Sequence, residues 1–215
     1  MEFIRVDTQR AYQLIRDKIT RLALAPGAPI REQALADDLG MELTPIHEAL
    51  KLLAHDGLVT VTAKGVYVAD VDVPDLRQLS ELRLLLESYS AQQAAERATA
   101  DDLAVLDALC AEAAGIDAGE SERLFDVDHK FHQAIAQAAH NKYLAASLES
   151  FFALSQRLWY LVLPELEFLP AAVGTHVEMV EAIKQRDGER AAEIMHEHVK
   201  DFYDRVHEAL EDRGG

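Results

Sequence analysis

Four residues in this 215-residue sequence have the types and spacing to hold a metal ion: Asp128, His132, His176 and His198. Asp128 and His132 stand four apart, so on an α-helix they share a face, because successive side chains turn by about 100°. That face is the apolar one, marked by Leu124, Phe131, Ile135 and Ala138, whereas Asp126 and His129 turn outward. His176 falls within a stripe of Val173, Val177, Val180 and Ile183. His198 lies at the edge of a stripe of Ile194, Met195, Phe202, Val206 and Ala209, and His196 and His207 point away from it. A buried carboxylate is costly unless it is paired or bound to a metal. Three imidazoles and one carboxylate suit a borderline divalent cation, zinc first, nickel or manganese otherwise. Each histidine taken alone also reads as a hydrogen-bonded core residue, and periodicity does not by itself bring three helices together.

The elements that would position these residues follow from the same periodicities. Beyond residue 74 there is no strand signal and no Gly-rich loop, and about six helices are expected, at 74–98, 100–116, 121–139, 142–162, 171–187 and 189–211. Asp101, Ser121 and Asp187-Gly188 serve as cap and turn signals, and LPELEFLP, with Pro164 and Pro170, breaks the fourth helix from the fifth. The first 70 residues have another texture. Tyr12, Ile15, Ile19 and Leu22 recur at helical spacing until Pro26-Gly27. IREQALADDLG reads as a short second helix. Thr44-Pro45 opens a third, with Thr44 as N-cap and Pro45 at the first helical position, burying Ile46, Ala49, Leu50 and Leu53 and ending at Gly57. LVTVTAKGVYVADV alternates on both sides of Ala63-Lys64-Gly65, which predicts a β-hairpin. The expected architecture is mainly α: a winged helix-turn-helix over 1–70, a connector at 71–74, and an all-α bundle over 75–215.

Charge separates the two parts. The chain carries a net −17. Residues 1–70 hold only −2 of that and residues 71–215 the other −15. DNA phosphates repel the acidic part, so any DNA contact belongs to the head. No apolar run approaches the roughly 18–20 residues that span a bilayer, and the N-terminus lacks the apolar stretch of a secretory signal. The single cysteine, Cys110, excludes an intrachain disulfide and fits a reducing cytoplasm; it reads as a small buried hydrophobe or as a reactive thiol.

The head resembles the GntR-type winged helix of bacterial transcription regulators. The resemblance is carried by Pro26-Gly27, Ile30, Glu32, Leu35-Ala36, Leu39-Gly40, Thr44-Pro45, Glu48-Ala49-Leu50, Gly57-Leu58-Val59 and Gly65. The rest is similar to the FCD ligand domain of the FadR subfamily, through Glu81-Leu82-Arg83 with Glu87, Asp128-x-x-x-His132, Asn141 with Leu144, Thr175-His176, Ala182-Ile183, Asp187-Gly188, Ala191-Ala192 and Met195-x-x-His198. That resemblance implies a metal held by Asp128, His132, His176 and His198. It implies a small carboxylate effector near Arg83 and Asn141, a homodimer, and a two-fold DNA operator. Arg83 could grip the carboxylate in bidentate fashion or pair with Glu87 one turn on. Asn141 suits a cap or brace of the pocket wall.

One stretch departs from the family. ELTPIHEAL has Leu43 and His47 where GntR-type heads usually carry arginines, and Glu42 adds negative charge. The remaining DNA contacts are Thr44 with its helix N-terminus, His47, Lys51, Arg31, and Lys64-Gly65 at the wing. Altered base preference, binding that needs a partner or effector, and loss of binding all stay open. The implied function is a metabolite-responsive transcription regulator, in the repressor mode. The alternatives are a sensor for which the ion itself is the signal and a metal-dependent hydrolase. The hydrolase lacks a general base: Glu178 turns elsewhere and no HExxH arrangement occurs.

Overall fold

The computed structural model describes residues 2–70, 73–162 and 169–214. The chain divides into two compact units, Met1–Asp72 with Phe152–Tyr160, and Val73–Phe151 with Leu161–Gly215. Val71 and Asp72 of the expected connector lie outside the described residues, and so does most of LPELEFLP, residues 163–168 with Pro164.

The first unit is built of α1 (Glu2–Thr20), β1 (Pro29–Ile30), α2 (Glu32–Leu39), α3 (Leu43–His55), β2 (Val59–Thr62) and β3 (Gly65–Val68). The strands form one antiparallel sheet in the order β1-β3-β2, with Val59 opposite Val68 and Ile30 opposite Val66. The hairpin is the expected one. Two-residue β1 went unseen, since Pro29–Ile30 is too short to alternate. Ile15 and Ile19 of α1 pack with Leu35 of α2, with Ile46, Leu50 and Leu53 of α3, and with Leu58, Val59 and Val68 of the wing. The turn between α2 and α3 needs a left-handed residue, and Gly40 supplies it at φ 61°, its N–H bonding back to Ala36 and Asp37. Helix α3 starts earlier than expected. Its N-cap is Glu42 (φ −67°, ψ 155°), which makes no side-chain cap bond, in place of Thr44. Pro45 therefore sits third, still among the first four positions, whose N–H groups have no intrahelical partner.

The second unit is all helical: α4 (Val73–Arg97), α5 (Ala100–Ala114), α6 (Ser121–Ala138), α7 (Lys142–Val162, which also supplies Phe152–Tyr160 to the first unit), α8 (Leu169–Gly174), α9 (His176–Lys184) and α10 (Gly188–Gly214). Helix α4 lies extensively against α10. Thr99, not Asp101, caps α5, through a reciprocal pair with Asp102. Asp187 caps α10 by accepting from the Arg190 amide at 3.0 Å. The expected fifth helix is two, interrupted at Thr175. Val173, His176, Val180 and Ile183 are buried as expected, but the face they define is centred away from Val177, which is 61% exposed, and takes in Met179 instead. Cys110 is half-buried. Its burial, with Asp107 beside it, pushes the thiol up and away from the thiolate. No described helix is long and apolar enough to cross a membrane.

Adjacent leucines on α3 separate core from surface. Leu53 is fully buried and Leu52 is 46% exposed. Leu53→Ala is expected to destabilise the head by about 2–5 kcal/mol, and Leu52→Ala by no more than about 0.5 kcal/mol. Urea unfolding followed by Trp159 fluorescence, which reports from the same unit, checks both.

Candidate functional site

In the second unit, four side chains from three helices converge. Asp128 and His132 come from α6, His176 from the first position of α9 and His198 from α10, and all four are buried. One ligand atom from each lies within 4.8 Å of every other. Asp128 Oδ1 is 3.1 Å from His176 Nε2, 3.6 Å from His198 Nε2 and 3.7 Å from His132 Nε2. His132 Nε2 and His198 Nε2 are 3.1 Å apart. A tetrahedron with metal–ligand arms of about 2.0–2.1 Å has edges of about 3.3 Å, so these separations bracket the spacing a metal requires. His176 strengthens the fit. It is 1% exposed, its Nδ1 has no hydrogen-bond partner, and its Nε2 faces Asp128 without a well-aligned hydrogen bond. Phe131 stacks on the ring at 3.8 Å and holds its plane. An ion among these four would bind His176 through Nε2, the nitrogen that faces Asp128.

A second layer fixes the ring orientations. The Thr175 hydroxyl donates to Ala172 O at 2.7 Å, so its oxygen accepts from His198 Nδ1 at 3.0 Å. With its proton on Nδ1, His198 keeps Nε2 free for a metal. Glu87 of α4 does the same for His132 by pairing with its Nδ1. Glu87 is held in turn by Arg83, whose guanidinium also donates to the Tyr203 hydroxyl at 3.0 Å.

Charge balance explains how this polar chain survives burial. Desolvation alone would raise the Glu87 carboxyl, but Arg83 and His132 outweigh it and hold it down at about 2. Asp128 is likewise kept well below the carboxylate range by the histidines around it, against desolvation. Burial acts on His132 too, yet Glu87 and Asp128 overcome it and hold its imidazole above the ordinary range. Burial wins at His176, which is pushed down to about 4 and is therefore neutral and ready to ligate near pH 7.

Beside His198 and Thr175 a cleft of about 320 Å³ opens, with Arg190, Arg205, Glu178 and Asp201 on its walls. Arg205 pairs with Asp201 at 3.0 Å and Arg190 with Glu193 at 2.6 Å. The cleft, Glu87 and Thr175 are what sequence reasoning missed as parts of the site; only the Arg83–Glu87 pair was visible, as an i,i+4 spacing. Asn141 caps α7, its side-chain oxygen accepting from the Tyr143 and Leu144 amides at 3.2 Å each.

The head displays its own set. Thr44, His47 and Lys51 are exposed on α3, Arg31 is exposed at the start of α2, and Lys64-Gly65 form the tip of the wing. Lys51 is paired with Glu48 at 2.8 Å. His47 Nδ1 lies 3.1 and 3.2 Å from the two carboxylate oxygens of Glu32. Leu43 keeps 43% exposure on the same helix.

Residues 7–68 match the family described as bacterial regulatory proteins, gntR family, and residues 78–201 match the FCD domain. The chain belongs to the GntR family of regulators with an FCD domain. This GntR/FCD chain is 30% identical over 196 residues to the transcriptional regulator McbR of Escherichia coli K12, covering 84% of this chain and 86% of that one. It is 24% identical over 200 residues to the transcriptional repressor RspR of the same organism, covering 92% and 88%. A solved structure of E. coli McbR/YncC aligns with a TM-score of 0.84 at 23% identity, over 94% of this chain and 97% of that one. A GntR regulator structure from Rhodococcus sp. RHA1 aligns at 0.71 and 18% identity, over 93% and 96%. These matches are to transcription regulators and not to enzymes.

Metal affinity should depend on pH with a fixed sign. Binding displaces the proton held on His132, so affinity falls as pH drops through that raised pKa, by about tenfold per unit for one proton. Chelator competition at pH 6 and pH 8 measures the slope, and a flat profile would remove His132 from the ligand set. Glu87→Gln should weaken binding by about 10–100-fold, whereas His196→Ala, on the exposed side of α10, should leave it unchanged.

Proposed function

We propose that this chain is a cytoplasmic, homodimeric transcription repressor whose operator affinity is set by a small carboxylate metabolite bound at a divalent metal, zinc first, in the helical unit. The observation that carries this reading is the buried Asp128, His132, His176 and His198 cluster, in one chain with a winged helix. With three imidazoles and one carboxylate already on the ion, an effector oxygen would enter as a fifth ligand, an expansion that zinc allows. The effector's partners are drawn from the cleft beside His198, where Arg190 and Arg205 stand among Glu178, Glu197 and Asp201 and would exchange their Glu193 and Asp201 partners for the effector carboxylate. Arg83 would reach an effector only by releasing Glu87, so its part is to hold the second layer in place. Asn141 acts through α7. Repression is supported by the printed name of the relative RspR. Two heads in a dimer suit a two-fold operator. Thr44, His47, Lys51, Arg31, Lys64 and Gly65 form the DNA contact, since the other unit carries nearly all of the negative charge.

The effector acts only through its differential affinity for DNA-bound and DNA-free arrangements. Fluorescence anisotropy on duplexes selected from a random pool, with metal-loaded and chelator-treated protein, tests this. A panel of small mono- and dicarboxylates supplies the candidate effectors. One of them should shift operator affinity by about 5–150-fold in the metal-loaded form and lose that effect in the chelated form. Operator affinity that tracks free metal with no organic ligand would replace this reading with that of a metal sensor. Carboxylate binding with no change in DNA affinity would discard it.

A further inference from the structure

The exposed face of α3 carries Leu43, His47 and Lys51 at intervals of four, so they line up along one side. Lys51 is engaged by Glu48. The other two decide what this face can read.

His47 does not present an arbitrary edge. Its Nδ1 faces both oxygens of Glu32, at 3.1 and 3.2 Å. An ionised carboxylate can only accept, so Nδ1 carries the hydrogen. In the neutral ring the other nitrogen, Nε2, then holds a lone pair. It is an acceptor, the opposite polarity to the donors of arginine or lysine. Glu32 stands at the start of α2, and the Gly40 turn fixes α2 against α3, so the lock belongs to the helix-turn-helix frame. Leu43, one turn earlier, offers an apolar surface with 43% of its area open.

In the major groove an acceptor finds donors only at the adenine N6 and cytosine N4 amines, and an apolar group finds a methyl only on thymine. An A·T pair is the one pair that shows both an amine and a methyl. We propose that α3 reads an A·T pair in each half-site, with His47 Nε2 accepting from the adenine N6 amine and Leu43 covering the thymine methyl. Glu32 is the positioning residue that sets the histidine's polarity. This rests on the DNA-binding reading above and names what that face recognises.

The test uses the full chain, a duplex enriched from a random pool, pH 8 and fixed salt. Each adenine in turn is replaced by purine, which lacks the 6-amino group, and each thymine by uracil, which lacks the methyl. At one pair per half-site, removing the amine should weaken binding about 5–10-fold, and removing the methyl of its partner about 2–5-fold. In His47→Ala the amine effect vanishes and the methyl effect stays. In Leu43→Ala the reverse holds. Glu32→Ala lowers the preference for adenine over guanine at that pair, which a merely structural loss would not do. Both α3 side chains are on the surface, and thermal unfolding confirms that the variants fold. If wild-type protein binds a selected duplex and no such pair exists, the inference is overturned while the DNA-binding reading stands. The same follows if His47→Ala weakens all duplexes equally, as a phosphate contact would. No sequence-selective binding at low salt overturns both.

Discussion

One buried carboxylate sets the terms for the helical unit. Asp128 lies on the apolar face of α6, where an isolated negative charge would cost more than packing could return. It is stable there because three histidines aim their Nε2 atoms at the same oxygen. Those histidines are themselves desolvated, and each needs its other nitrogen held or shielded. Thr175 holds one, Glu87 another, and the Phe131 ring covers the third. Glu87 then requires Arg83, and Arg83 uses Tyr203. The chain of requirements runs from α6 through α9 and α10 to α4. The extensive packing of α4 on α10 is its structural counterpart.

Much of this was readable from sequence, for a definite reason. Helical periodicity reports which face a residue occupies, so Asp128 and His132 are placed inward and His196 and His207 outward from spacing alone, whereas His129, expected outward, is half-buried against Glu149 of α7. Periodicity is least decisive at the margin of a face. Val177, at the margin of the stripe of Val173, His176, Val180 and Ile183, is exposed, and Met179 is in the core instead. Periodicity also cannot report contacts between distant segments. Glu87 and His132 are 45 positions apart, so no spacing rule shows that they pair. The Glu32–His47 pair was hidden in the same way, across the α2–α3 turn. The N-cap of α3 was misjudged because Thr44 is the better capping residue by preference, while the backbone turns helical at Leu43 after Glu42.

The two units solve opposite electrostatic problems. The helical unit keeps a few buried charges, Arg83, Glu87 and Asp128, away from water by setting each against a neighbour. The head keeps exposed groups in fixed orientations, so that polarity and not merely charge is presented on α3. A small number of carboxylates does both jobs. Glu87 sets the tautomer of a buried imidazole, and Glu32 sets that of an exposed one. In each case the acid determines which nitrogen of a histidine can meet a ligand.

The spread of the ligands along the chain also governs when the helical core can close. Asp128 is made before its partners, and His198 follows it by 70 positions. At about 5–20 residues per second of synthesis, that is a gap of about 4–14 s during which Asp128 has only His132, on its own helix, of the three histidines that surround it. Helix α6 can already pack on α4 and α5 in that interval. Its acid is enclosed on all sides only when α9 and α10 have both emerged, so the Asp128 cluster should be the last part of the bundle to close.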